Sequence, residues 1–130
     1  MILERHVEQQ CDALVQQHGG RIVRYSQPRA SKQTAGIADR EYYVLGAKIR
    51  FECKASDGKL SQDQLELLTL EHLAGGLVCV GGVQELKHLL IALRHSKDLA
   101  RDLGQLFLEL WAARGVRRTT KPTPPRNRDR

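Results

Sequence analysis

Asp39, Glu52, Lys54 and Gln64 are the residues of this chain best suited to phosphate chemistry. Glu52 and Lys54 lie two apart in a strictly alternating segment, which sets a carboxylate and an ammonium side by side on one strand face. Asp39 opens the neighbouring strand, so its carboxylate can converge with that of Glu52. Two convergent carboxylates suit a hard cation such as Mg²⁺, which keeps its other positions for water and phosphate oxygen. Such an ion lowers the pKa of a bound water and neutralises charge building on a phosphate. Lys54 can orient that water or stabilise the developing oxyanion. Cys53, between the two, points into the core and offers a metal only its backbone carbonyl. Taken alone, Glu-x-Lys more often marks a surface ion pair of small energetic worth.

The elements that must position these residues follow from hydrophobic periodicity. Residues 3–18 read as a helix, with Leu3, Val7, Cys11, Leu14 and Val15 recurring at three and four and Gly19-Gly20 as the stop. Glu4 and Glu8 stand one turn apart on its flank, where the macrodipole favours acids near an N-terminus. Arg21–Tyr25 is a short strand with Ile22 on one face and Arg21, Val23 and Tyr25 on the other. The segment SQPRASKQTAG has turn composition and no apolar anchor. Its Arg29 and Lys32, with Arg24 in the strand before it, are candidates for phosphate contacts; a solvated loop is the alternative.

Arg40–Leu45 and Lys48–Lys54 read as an antiparallel hairpin turning at Gly46-Ala47. In its second strand Ile49, Phe51 and Cys53 face one way and Arg50, Glu52 and Lys54 the other. Ser61, with Gln64 three residues on, forms a capping box that opens a helix over 62–73, with Leu65, Leu68 and Leu73 turned inward. Leu77–Val80 is a continuous apolar run, as in a strand buried on both faces. A helix over 83–94 and a final helix over 96–114 complete the order. Leu99, Leu103, Leu106, Phe107, Leu110 and Trp111 make one wide apolar face on that last helix, which either closes the core or pairs with another chain. Gly104 inside it reads as a close backbone approach or a tolerated glycine. Helix, hairpin, helix, strand, helix is a mixed α/β order.

Composition narrows the class. The 130 residues fit one domain, 1–95, with the added helix and a tail over 115–130 that has no apolar anchor and should be disordered. The net charge of +6 belongs mostly to that tail: from Gly115 on there are six basic residues and one acid, leaving +1 for the rest. The overall charge therefore says little about the folded surface. No apolar run approaches the roughly 18 residues that cross a bilayer, and no secretory signal is visible, so no membrane partner is expected. Cys11, Cys53 and Cys79 sit in apolar contexts and suit buried free thiols in a reducing compartment.

The ordered set is more specific than any part of it: a helix acid, Gly-x-x-Asp, Phe-Glu-x-Lys, then Gly-x-Leu-Ser-x-x-Gln opening a helix. In this the chain resembles the VRR-NUC branch of the PD-(D/E)XK nuclease superfamily, from about Glu4 to Leu93. GIAD at 36–39 stands where that family shows Gly-x-Pro-Asp, FECK at 51–54 resembles its Glu-Val-Lys strand, and GKLSQDQ at 58–64 its Leu-Ser-x-x-Gln helix start. Ala38 replaces the proline and Cys53 the valine. The resemblance implies a restriction-endonuclease-like core, a mixed central sheet flanked by helices. It also implies Mg²⁺ or Mn²⁺ on Asp39 and Glu52, Lys54 acting on the nucleophilic water, and Gln64 holding Lys54 or a phosphate. The first-helix acid falls on Glu4, or on Glu8. Stand-alone members resemble homodimeric Holliday-junction resolvases, which implies a DNA endonuclease acting on branched DNA in the cytoplasm of a bacterium or of a phage host. A nuclease of flaps or plain duplex is the alternative, and a non-catalytic DNA-binding module on the same fold is another.

Overall fold

The Leu45-Gly46 turn fixes the register of the central sheet. Both residues have positive φ, 53° and 74°, as a two-residue hairpin turn of the right twist requires. In the computed structural model, which describes residues 3–25 and 40–118, this turn joins β2 (Arg40–Val44) to β3 (Ala47–Cys53). The pair is antiparallel, with Arg40 opposite Phe51 and Val44 opposite Ala47. β1 (Arg21–Arg24) adds antiparallel to β2, and β5 (Leu77–Gly81) runs parallel to β3 on its other side. The four-stranded order is β1-β2-β3-β5. Between β3 and β5 the chain forms β4 (Leu60–Ser61) and α2 (Gln62–Leu73).

Helices cover this sheet on both faces. α1 (Glu4–Gln17) and α3 (Val83–His95) pack on the face carrying Tyr42, Val44, Ile49, Phe51, Cys53, Leu77 and Cys79. On the opposite face Val78 and Val80 meet Leu68 of α2, Leu60, and Leu108 and Trp111 of α4 (Lys97–Ala113). The fold is thus α/β, a mixed sheet between helices, and β5 is buried along its whole length on both faces as its unbroken apolar run requires. Cys11, Cys53 and Cys79 are buried free thiols. No helix among the described residues is long and apolar enough to cross a membrane.

Three expectations are corrected, and the apolar face of α4, left open between closing the core and pairing with another chain, is divided. α4 turns only part of that face inward. Its buried positions are Ala100, Gly104, Leu108 and Trp111, with Leu103 and Phe107 partly covered, while Leu99, Leu106 and Leu110 are exposed. The reason is Gly104: a Cβ there would collide with the Val78 carbonyl oxygen, so the helix lies directly against the β5 backbone. That approach seats the Ala100–Gly104–Leu108–Trp111 side of the helix on the sheet. Leu73, expected inside, is 73% exposed, because it lies one turn from Leu70, itself 60% exposed, on the outward side of α2. The hairpin turns one residue earlier than Gly46-Ala47, and β3 ends at Cys53 rather than Lys54. Finally, the segment after Gly115 is not wholly unanchored: Val116–Arg117 form β6, parallel to Leu60–Ser61. The remainder of the basic tail, 119–130, lies outside the described residues.

Candidate functional site

Glu52 and Lys54 stand at the C-terminal end of β3, on the face that α2 covers. The Lys54 backbone N–H donates to the Gly81 carbonyl at 3.0 Å, so pairing with β5 runs one residue past the strand end. Their side chains meet: Lys54 Nζ lies 3.5 Å from Glu52 Oε2. This is no surface pair, since the Glu52 and Lys54 side chains are only 1% and 6% exposed.

Gln64 completes the group through the architecture of a helix cap. Ser61 Oγ accepts from the Gln64 backbone N–H at 3.1 Å, and Gln64 Oε1 accepts from the Ser61 N–H at 2.9 Å. With its carbonyl end held there, the amide presents Nε2 to Glu52 Oε2 at 2.9 Å. The capping box therefore does two jobs. It starts α2 and fixes the Glu52 carboxylate, so Gln64 holds the acid, where sequence reasoning had it holding Lys54 or a phosphate. The turn between them is tight: Gly58 N–H donates to the Ala55 carbonyl at 2.9 Å, and Gly58 lies against the Lys54 side chain.

Other expected residues fall around this group. Glu4 begins α1, and its backbone carbonyl accepts from Cys53 Sγ at 3.8 Å, which docks the helix start on the end of β3. The Cys53 thiol points into the core as its alternation required, and a hydrogen bond shared with Cys11, burial, and the charges of Glu8 and Glu4 push its pKa up. The Cys53 backbone lies between the Glu52 and Lys54 side chains. Glu8 turns to Arg40, 3.6 Å away. Arg24 sends its guanidinium to Asp12 at 3.2 Å, on the α1 side and away from the Glu52 face. Asp39, Arg29 and Lys32 lie outside the described residues. Among those described, no three His, Cys, Asp or Glu side chains gather in a group that could hold a metal ion. β2, however, begins beside this place, for Arg40 pairs with Phe51, next to Glu52.

Sequence reasoning missed a second polar cluster. Asp12 is buried in α1 and accepts from Arg40 Nε (2.9 Å), Arg40 Nη2 (3.3 Å) and the Tyr42 hydroxyl (2.7 Å) besides Arg24. Burial alone would lower the Arg40 pKa; the hydrogen bond and charge of Asp12, with Glu8, outweigh it and raise it. Burial and the bond to Asp12 also push the Tyr42 phenol up. A signal was present in the spacing. Glu4, Glu8 and Asp12 form a like-charged ladder at four-residue intervals, which destabilises a helix unless a cation faces it. Arg40 is that cation.

No protein-family model matches this chain, and neither a curated protein nor a solved structure matches it.

Proposed function

We propose that the chain is a metal-dependent endonuclease that hydrolyses phosphodiester bonds in branched DNA, on a restriction-endonuclease-like core of the VRR-NUC kind. The observation that carries this reading is the buried Glu52–Lys54 pair, fixed by Gln64 from the cap of α2. Taking two charges out of water costs about several kcal/mol per ion, and a surface ion pair needs neither burial nor an amide anchor. A dry, preorganised pair acts more strongly on charge developing at a phosphate than the same pair in water.

Glu52 and Asp39 would hold Mg²⁺ or Mn²⁺, with the Cys53 backbone carbonyl as a further oxygen donor. An all-oxygen set suits a hard cation. The bound ion supplies Lewis acidity and a water of lowered pKa. Lys54 donates to that water or to the oxyanion, and Gln64 keeps Glu52 in the orientation that binding needs. Glu4 or Glu8 would add the acid of the first helix.

The test is incubation of the purified protein with labelled four-way junction, flap and linear duplex, each with Mg²⁺, Mn²⁺ or EDTA. Metal-dependent cutting, strongest on the junction, is expected. Absence of cutting under every condition would sink the enzyme reading and leave a non-catalytic DNA-binding module. Equal cutting of duplex would sink the junction preference.

The reading includes a two-fold homodimer, which would bring two such sites to one branched substrate. The exposed Leu99, Leu106 and Leu110 on α4 support it, since solvent-facing leucines gathered on one helix mark an interaction surface. Light scattering at micromolar concentration should give twice the 14.7 kDa chain mass. A value at the chain mass refutes the dimer.

A further inference from the structure

The face of the sheet that carries Glu52 is only half covered. α2 and α4 lie chiefly over β5. On the β1–β2 side the same face presents Arg21, Val23, Glu41, Tyr43, Lys48 and Arg50, as the strand registers require. Arg21, Tyr43 and Lys48 fall in one row across three strands, an aromatic ring between two cations. Tyr43 is 43% exposed and the Lys48 side chain 47%; Arg21 and Val23 are exposed too. A shallow depression of about 510 Å³, lined by Gly19, Tyr43, Leu45, Gly46 and Lys48 among others, adjoins this row.

Two acids meet this face, and each is paired with a cation: Glu71 of α2 lies 3.6 Å from Arg50. Glu41 is buried beneath the surface and fully engaged: it accepts from the Tyr25 and Tyr43 hydroxyls, each at 3.0 Å, and pairs with Arg50 at 2.9 Å and Lys48 at 3.6 Å. Burial alone would raise its pKa, but the two hydroxyls and the two cations hold it below the usual carboxylate range, so it stays ionised and bonded. Its effect is to anchor the Tyr43 ring by its hydroxyl while the ring surface stays open. An aromatic side chain fixed in this way loses little freedom when a flat partner stacks on it.

We propose that this open side of the sheet is a platform for a single-stranded, unstacked segment of nucleic acid, with a base on Tyr43 and phosphates on Arg21 and Lys48. Single strands are held by aromatic rings interleaved with cations, because bases already out of a duplex can stack on a side chain. A duplex offers no such bases to a flat sheet. The row lies on the same face as Glu52, four residues along β3 and hence about 13 Å away, beyond the α2 end whose Glu71 pairs with Arg50 at 3.6 Å. The proposal rests on the nuclease reading only for what happens at that end.

Binding is read separately from cutting, by fluorescence anisotropy in EDTA with a labelled single-stranded oligonucleotide and its duplex. The single strand should bind more tightly. Tyr43→Ala should weaken its binding between about fivefold and a hundredfold, and Tyr43→Phe, which keeps the ring, should stay within about twofold of the parent. Arg21→Ala and Lys48→Ala should each make the salt dependence shallower, by about 0.7 in the slope of log K against log salt. These two exposed residues keep the test decisive if Tyr43→Ala lowers the circular-dichroism signal. Unchanged single-strand binding by all three alanine variants overturns the platform, as does tighter binding of the duplex. Loss of the platform with metal-dependent cutting intact overturns this proposal alone; binding without cutting overturns the nuclease reading alone.

Discussion

Glu52→Gln is expected to reduce metal-dependent cleavage of branched DNA on the order of a thousandfold, the scale on which removing a charge-stabilising group from a reacting centre acts. The glutamine keeps the size of the side chain and an oxygen that can accept from Gln64 Nε2, now 2.9 Å from the carboxylate. The fold should therefore survive, as a thermal melt will show, while the ligand charge is lost. Lys54→Met should cost about a hundredfold or more, because in the proposed mechanism the lysine would act on the water or oxyanion rather than hold the ion. Gln64→Leu should cost about ten- to a hundredfold, as expected for a residue that orients a ligand and touches no reacting atom. Single-turnover rates give the ranking. Full activity in Glu52→Gln would remove this pair from the chemistry, whatever the other two variants do.

Asp12→Ala should be the most destabilising substitution on the α1 side of the sheet. Among the described residues it leaves the buried Arg40 guanidinium with only Glu8, 3.6 Å away, and strips the buried Tyr42 hydroxyl of its acceptor. Breaking a buried ion pair from one side costs about 3–5 kcal/mol, a large share of the roughly 5–15 kcal/mol that a domain of this size has. Arg24→Ala should cost under about 1 kcal/mol, because the Arg24 side chain is 61% exposed and its pair with Asp12 is solvated at one end. The double variant Asp12→Ala/Arg40→Met should recover most of the loss, since no buried charge is then left alone. Urea titrations decide it. A loss below about 1 kcal/mol in Asp12→Ala would mean the cluster does not hold α1 to β2. Arg40 is bonded to Asp39 in the chain, so this cluster also sets where β2 begins relative to Glu52.

The alternation of Lys48–Lys54, the capping box at Ser61 and the apolar run of β5 were all legible in the sequence. Each is a local pattern that one element imposes on its own residues. The two-sided burial of β5 and the inward turn of Cys53 followed from the same patterns. What was not legible came from contacts between elements distant in the chain. Alternation placed Glu52 on the polar face of its strand, and only the docking of α2 over that face buries it. On α4 the leucine pattern left open which residues face the core, because the close approach of Gly104 to the Val78 backbone decides the seating and is not visible in a periodicity. Asp12 takes its role from Arg40, 28 residues away in the chain.

The short parallel bridge of β6 to β4 has a consequence for the basic tail. Arg117 pairs with Ser61, the residue that caps α2 and anchors Gln64. Arg117 and Arg118, both exposed, therefore stand at the rim of the candidate site. Under the proposed function these two cations would meet a polyanion beside the Glu52–Lys54 pair and add salt-sensitive affinity there.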